Sequence, residues 1–288
     1  MAGVRELIAV PNVSEGADAS VIAAIGGALT SAGDARILDV HSDADHGRTV
    51  FTLAGAPGGL SRALGRGAAV AAQRIDLTAH SGAHPHVGAL DVAPVVFLDA
   101  AQRPAALAEA LAAAAEIAAA GLPVLLYGEL AAGRTRAQLR RGGVEGLARR
   151  VAQKQLETDF GPAAIDPRRG AVLVAARAPL VAFNLELAAP ATLADAKAVA
   201  ARIREGGPDG LPGLRAIGIE LGGRVAQLSM NVEDHLALPL AAVVAAVERL
   251  VPLAAAEVVG LPPAAAFAGY PDGLPTRGRR TLEDALTI

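Results

Sequence analysis

Five of the six histidines in this chain lie between His41 and His86, in two clusters. The first cluster is His41-Ser42-Asp43-Ala44-Asp45-His46-Gly47-Arg48. The second is His80-Ser81-Gly82-Ala83-His84-Pro85-His86-Val87-Gly88. An imidazole on a loop works as acid or base near neutral pH, and a neighbouring carboxylate sets its tautomer and pKa. Asp43 and Asp45 offer such carboxylates. Arg48 offers a planar fork that fits a substrate carboxylate.

The same residue types also bind metals, because imidazoles and carboxylates suit Zn²⁺ or Mn²⁺. His80, His84 and His86 have ligand-like spacing, and His41-x-Asp43-x-Asp45-His46 is close to the H-x-H-x-D-H pattern of metallo-β-lactamase-type hydrolases. Asp43 stands where that pattern has histidine, and beyond His86 only His235 remains to complete a two-metal set. A third reading leaves both clusters as solvated loops without chemistry. The residues alone keep all three open.

Both clusters need strands to place them. The first follows the apolar run 37–40, and the second leads into a predicted strand over 92–98. Glycine and proline at this density shape a loop, not a helix. Further strands are predicted over 7–10, stopped by a turn at Pro11-Asn12, and over 49–53 and 123–127. Helices are predicted over 21–29, 60–72 and 104–120, with a basic, mostly helical stretch over 134–155 broken near Gly142-Gly143. The second half predicts strands over 171–176 and 180–187, and a helix over 192–205 capped by Thr192. A hairpin over 214–221 and 225–231 turns at Gly222-Gly223, a helix covers 239–256, and an irregular tail follows Gly260. The expected class is α/β (α+β), with two α/β subdomains over residues 1–177 and 178–288. Each is a mixed sheet with helices on one face.

Composition narrows the function. Of 288 residues, 52% are hydrophobic and 19% charged, which is globular. A net charge of -3 and 2% aromatic residues argue against nucleic acid as a partner, since neither a basic footprint nor stacking platforms are present. The absence of cysteine removes disulfides and thiolate zinc sites. Residues 1–10 lack the apolar core of a secretory signal. The longest apolar stretch, 104–126, is interrupted by Glu109, Glu116, Gly121 and Pro123, so no membrane partner is expected.

In its motifs the chain resembles the glutamate formiminotransferases, from about Leu7 to Leu261. Val10-Pro11-Asn12-Val13-Ser14-Glu15-Gly16 is similar to V-P-N-F/I-S-E-G. Asp39 to Val50 resembles the family's bacterial form, in which Asn usually precedes the arginine. His80-Ser81-Gly82-Ala83-His84-Pro85-His86, after Ile75-Asp76-Leu77, resembles I-D-M followed by H-x-G-E-H-P-R. Gly88-Ala89-Leu90-Asp91-Val92, Leu126-Tyr127-Gly128-Glu129, Asp159-Phe160-Gly161-Pro162, Ala182-Phe183-Asn184, Gln227-Leu228-Ser229-Met230-Asn231 and Val258-Val259-Gly260-Leu261 follow in the family's order.

The resemblance implies two α/β subdomains with a cleft between them, a cytoplasmic homodimer, and transfer of a formimino group between N-formimino-L-glutamate and tetrahydrofolate in histidine degradation and one-carbon metabolism. Tetrahydrofolate is then a co-substrate, and no metal is expected. His84 becomes the catalytic acid/base, donating to the leaving glutamate nitrogen. Asp43, Asp45, His46, Arg48, His80 and His86 become substrate-binding candidates, with Arg48 for the glutamate carboxylates. The folate segment maps to Gly161, Pro162 and onward to Gly170, with a second near Gly213. Asn184, Ser229 and Asn231 are either pterin contacts or strand-end hydrogen bonds. Three positions depart from the pattern: Gly47 for Asn, Ala83 for Glu and His86 for Arg. Alternatives are a folate-dependent formyl or formimino transferase with another donor or acceptor, a metal-dependent hydrolase, and a non-catalytic folate-binding protein.

Overall fold

The computed structural model describes residues 6–287. Part of the leader expectation over residues 1–10 therefore lies outside the described residues. The chain divides into two compact units, Met1–Ala178 and Pro179–Ile288.

The first unit holds β1 (Leu7–Ala9), β2 (Asn12–Val13), α1 (Ala19–Thr30), β3 (Ala35–Asp43), β4 (Arg48–Gly55), α2 (Gly59–Arg74), β5 (Leu90–Val96), α3 (Arg103–Ala119), β6 (Val124–Leu126), α4 (Arg136–Arg140), α5 (Gly143–Ala152) and β7 (Val172–Arg177). The sheet runs β1-β4-β2-β5-β7-β6, with β3 paired to the outside of β4. β5, β7 and β6 are parallel to one another, and the remaining pairs are antiparallel. Both β1 and β2 lie between β4 and β5, so they are two pieces of one strand path. Pro11 breaks it, having no N–H to give the ladder. Its carbonyl still accepts from Phe51 N–H at 3.0 Å, so the path turns at the proline without leaving the sheet.

Side chains alternate across this sheet. Ala93, Val95, Val124, Leu126, Val172 and Val174 face α1, α2 and α3 in the main core. Val92, Leu125, Leu173 and Ala175 face the other way, onto Leu139 of α4 and Leu147 and Val151 of α5. The alanine excess has a packing role in α3. Ala106, Ala110, Ala113 and Ala114 are all fully buried, and Gly65 of α2 lies so close that a Cβ there would sit 2.8 Å from Glu116 Cβ. Small residues on both helices permit that approach.

The second unit holds β8 (Val181–Leu187), α6 (Leu193–Ile203), β9 (Leu214–Leu221), β10 (Val225–Val232), α7 (Leu240–Glu248), β11 (Leu253–Val259), β12 (Thr276–Arg277) and α8 (Leu282–Leu286), with sheet order β12-β11-β8-β10-β9. Thr192 caps α6 through a reciprocal box with Asp195. Phe183, Leu185, Leu228, Met230, Ala256 and Val258 pack with α6 and α7 residues such as Val199 and Val243.

One expected element is corrected. The predicted helix over 239–256 ends at Glu248, and Leu253–Val259 is a strand paired with β8. Leu253-Ala254-Ala255-Ala256 looks helical by propensity, but Pro252 cannot continue a helix and β8 offers a partner edge. The tail beyond Gly260 also carries β12 and α8, so it is more regular than expected. Among the described residues no helix is long and apolar enough to cross a membrane.

The entry to α2 depends on a carboxylate from α3. Glu109, only 3% exposed, accepts from Gly58 N–H at 2.5 Å and from Ser61 N–H at 2.6 Å. Unpaired N–H groups at a buried helix start are costly, and a carboxylate there also meets the positive end of the helix dipole. Glu109→Ala is expected to lower unfolding stability by about 2 kcal/mol, the scale for orphaning buried donors. Urea unfolding measures it, and a loss below about 0.5 kcal/mol refutes the capping role.

Candidate functional site

The first histidine cluster is a β-hairpin. Asp43 ends β3, Arg48 begins β4, and the two face each other across the ladder. Asp43 holds the turn with both oxygens. Oδ1 accepts from His46 N–H at 2.8 Å, and Oδ2 lies 3.0 Å from His46 Nδ1. The second cluster docks on this turn through its backbone. Ala83 N–H donates to the Asp45 carbonyl at 3.0 Å, and His84 N–H to the His46 carbonyl at 3.3 Å.

Two glycines allow that docking. A Cβ on Gly82 would sit 2.3 Å from the His46 carbonyl oxygen, and one on Gly47 would sit 2.6 Å from the His80 ring. Gly47 also has φ of 61°, a left-handed turn position. Ser14 ties a third segment in, its Oγ donating to the Gly88 carbonyl at 2.7 Å.

The result is one narrow pocket lined by His46, Arg48, His80, His84, His86 and Asp91, among others. It adjoins, through Ser14, Gly47 and His80, a cavity of about 280 Å³. Of the predicted substrate residues, only Asp45 and Asp43 are not among those lining that pocket; Asp45 is exposed and contributes its carbonyl, while Asp43 stands behind His46.

The charges are asymmetric. Arg48 Nη1 lies 2.7 Å from His84 Nε2. A guanidinium has no lone pair to offer, so Nε2 is the acceptor, the ring is neutral, and its proton sits on Nδ1. Burial, then the charge of Arg48, then those of Arg140, His46 and Arg136, hold the His84 pKa well below the ordinary imidazole value. Burial first, then Arg140, lower Arg48 to about 10, which leaves it cationic at neutral pH. The hydrogen bond from His46 is the largest cause that lowers Asp43 to about 2. Burial, then His86, lower His80, and these two rings meet edge to face with centroids 4.2 Å apart. His86 Nδ1 lies 3.4 Å from the His84 carbonyl.

Three contributors were not singled out from sequence. Asp91, 3% exposed, accepts from Val87 N–H at 2.7 Å and forms an ion pair with Arg140. Arg136 stands one turn before Arg140 on α4, its guanidinium carbon 5.8 Å from the centre of the Tyr127 ring. Of Arg48, Arg136 and Arg140, only Arg140 has a carboxylate within 4.0 Å among the described residues. A signal did exist: Asp91 lies in an otherwise apolar strand, and a buried carboxylate needs a partner.

The expected folate segment borders the histidine loop. Gly170 bridges to Gly88, Ala89 N–H donates to the Arg169 carbonyl at 2.8 Å, and Leu77 N–H to the Arg168 carbonyl at 2.9 Å. Gly161 and Gly170 have φ of 76° and 69°, and a Cβ on Gly170 would sit 2.0 Å from the Val87 carbonyl, so both glycines also answer a backbone need. Pro162 is exposed. Asn184, Gly213, Ser229 and Asn231 belong to the second unit. Asn184 is 1% exposed and its Nδ2 donates to Glu257 at 3.1 Å, while Ser229 pairs with it across the ladder. Gly213 N–H donates to Glu205 at 3.1 Å. Asn231 faces Arg215 of β9 and Ala182 of β8 in the ladder.

A metal would need several imidazole and carboxylate lone pairs converging. Among the described residues no three or more His, Asp or Glu side chains converge in that way. His84 Nε2 and His46 Nδ1 already have Arg48 and Asp43 as partners.

Comparison with known proteins matches residues 7–177 to the family model described as formiminotransferase domain, N-terminal subdomain. The chain is 35% identical over 269 residues to formimidoyltransferase-cyclodeaminase of Gallus gallus, covering 88% of this chain and 49% of that protein. Against the Sus scrofa protein of the same name, identity is 36% over the same 88% of this chain and 49% of the other. Thus the chain spans about half the length of these relatives. Glutamate formimidoyltransferase of Streptococcus pyogenes serotype M1 is 34% identical over 77% of this chain and 76% of its own length.

The Asp43–His46 contact has a stability signature. A carboxylate whose pKa falls to about 2 on folding, from ~3.9 unfolded, stabilises the fold above the unfolded value and loses that contribution as pH drops toward 2. Urea midpoints of wild type and Asp43→Asn are expected to differ at pH 6 and to converge between about pH 4 and 2. A gap that stays constant down to pH 2 contradicts the contact.

Proposed function

The chain belongs to the formiminotransferase family, and on that premise we propose that it moves a formimino group between N-formimino-L-glutamate and tetrahydrofolate. The observation that carries this reading is a neutral His84 whose lone pair meets Arg48 inside a pocket under the charges of Arg136 and Arg140. Transfer to a secondary amine needs a base for the attacking nitrogen, and a neutral imidazole is one. The donor carries two carboxylates, which suits a site where cationic side chains outnumber their carboxylate partners.

The pieces then order themselves. A donor carboxylate engages Arg48 and draws its N–H away from His84 Nε2. N5 of tetrahydrofolate attacks the formimino carbon, and the freed Nε2 accepts the N5 proton. In the substrate-free state His84 is therefore poised as a base, the half of its acid/base role that accepts a proton. The end of the expected folate segment, Arg168 to Gly170, lies beside the histidine loop, which supports folate at that edge of the pocket. Asn184, Ser229 and Asn231 lie in the second unit's own sheet, where Asn184 has Glu257 as its partner.

Incubating the purified protein with formiminoglutamate and tetrahydrofolate, and following 5-formiminotetrahydrofolate by absorbance, tests the reading. Wild type is expected to turn over. A folded His84→Ala variant is expected to lose roughly 10²–10⁴ in kcat, the usual scale for one acid/base group. Inactive wild type sinks the assignment, and near-normal turnover in the variant removes His84 from the chemistry.

A further inference from the structure

Formimino transfer moves two protons: one leaves the attacking nitrogen and one joins the departing amine. His84 accounts for the first. Among the other imidazoles that line the same pocket, His46 is the one set against a carboxylate. His46 is 1% exposed, and a ring that deeply buried ordinarily has both nitrogens bonded. Its Nδ1 lies 3.0 Å from Asp43 Oδ2, while its Nε2 is buried with no hydrogen-bond partner among the described residues. The His46 and His84 ring centroids are 6.5 Å apart with the planes tilted by 49°, and both rings line the pocket.

Their surroundings are opposite. His84 meets the guanidinium of Arg48, whereas His46 backs onto a carboxylate. Sites that divide acid from base work do so by giving two titratable groups environments of opposite sign. Asp43 also fixes the tautomer and the ring direction, as a carboxylate behind an imidazole does in hydrolytic triads. The hairpin makes this rigid, because the same carboxylate accepts the His46 backbone N–H.

We propose that Asp43 and His46 form a second proton-transfer centre, in which His46 Nε2 is the catalytic acid for the leaving amine. The proposal rests on the formimino-transfer reading. The donor enters as an amidinium. N5 bonds to its carbon, the C=N π pair moves to the terminal nitrogen, and His84 takes the N5 proton. The carbon–glutamate nitrogen bond then breaks with its electron pair going to that nitrogen. The terminal nitrogen's lone pair restores C=N, and protonated His46 delivers its Nε2 proton to the departing amine. His84 ends protonated and His46 neutral, and one proton passed from the first to the second through solvent resets both. Throughout, Nδ1–H of His46 stays on Asp43.

The charged and titratable groups around His46 are Asp43 in its own turn, Arg48 on β4, His80, His84 and His86 on the docked loop, and Asp91 on β5. The test is the pH profile of kcat for wild type, His46→Gln and Asp43→Asn. His46→Gln is expected to lose about 10²-fold or more in kcat, with KM for both substrates within about threefold, and to lose the high-pH limb that reports the acid. Asp43→Asn is expected to lower kcat in the same direction and serves if the buried His46→Gln fails to fold. Turnover within about threefold of wild type in a folded variant, or a loss that leaves the pH profile unchanged, overturns the proposal. Nitrogen-15 NMR of the substrate-free protein gives an answer independent of turnover. It should show His46 protonated at Nδ1, with the bonded proton signal lost in Asp43→Asn. A His46 ring protonated on Nε2 alone overturns the dyad. Inactive wild type would instead sink the formimino-transfer reading and leave the NMR assignment to decide the dyad.

Discussion

The backbone contact between the hairpin turn at Asp43 to Arg48 and the loop at His80 to Gly88 is the constraint on which the pocket depends. Two hydrogen bonds make it, from Ala83 to Asp45 and from His84 to His46. Gly47 and Gly82 permit it, because a Cβ on either would overlap the other loop. The one electrostatic contact that crosses between the two segments, Arg48 to His84, follows from that approach. It sets His84 under Arg48, beside a His46 that Asp43 backs within the hairpin and a His80 that meets His86 edge to face within the loop. At these separations in a largely buried pocket, each charge acts strongly on its neighbours.

The sheet supplies the rigidity that the loops lack. β4 lies between β3 and the strand path broken at Pro11, and β5 lies between that path and β7. The hairpin and the histidine loop thus adjoin strands on either side of that path in one sheet. Ser14 on one side and the Gly88–Gly170 bridge on the other tie the loop to both neighbours. Behind the sheet, α2 and α3 pack closely because alanine and glycine line their contact, and Glu109 completes the α2 start from across that contact. On the opposite face α4 brings Arg140 to Asp91. A helix of five residues is marginal alone. The Thr135–Gln138 capping box and burial of Leu139 hold it in place.

Much of this was legible in the residues. Apolar runs with the right period marked most strands and helices, and Thr192 announced its helix. The histidine clusters stood out by type and spacing, and the ordered motifs pointed to the family that the comparisons support. Misreadings arose where local propensity conflicted with long-range pairing. Leu253 to Ala256 favours helix in isolation and became a strand because β8 offered its edge. Arg136 and Arg140 looked like part of a basic helical stretch, since nothing local tells that one of them faces a buried carboxylate on β5.

By itself the sequence determined which groups were available for proton transfer and carboxylate binding, and which strands would carry them. It could not determine which lone pairs stay free. That depends on distances of a few ångströms between residues far apart in the chain, such as 2.7 Å from Arg48 to His84. Hydrogen bonding and burial set protonation, and both arise only when the loops dock. Tertiary structure therefore decided that His84 is neutral with its Nε2 occupied, and that the Nε2 of His46 has no partner among the described residues.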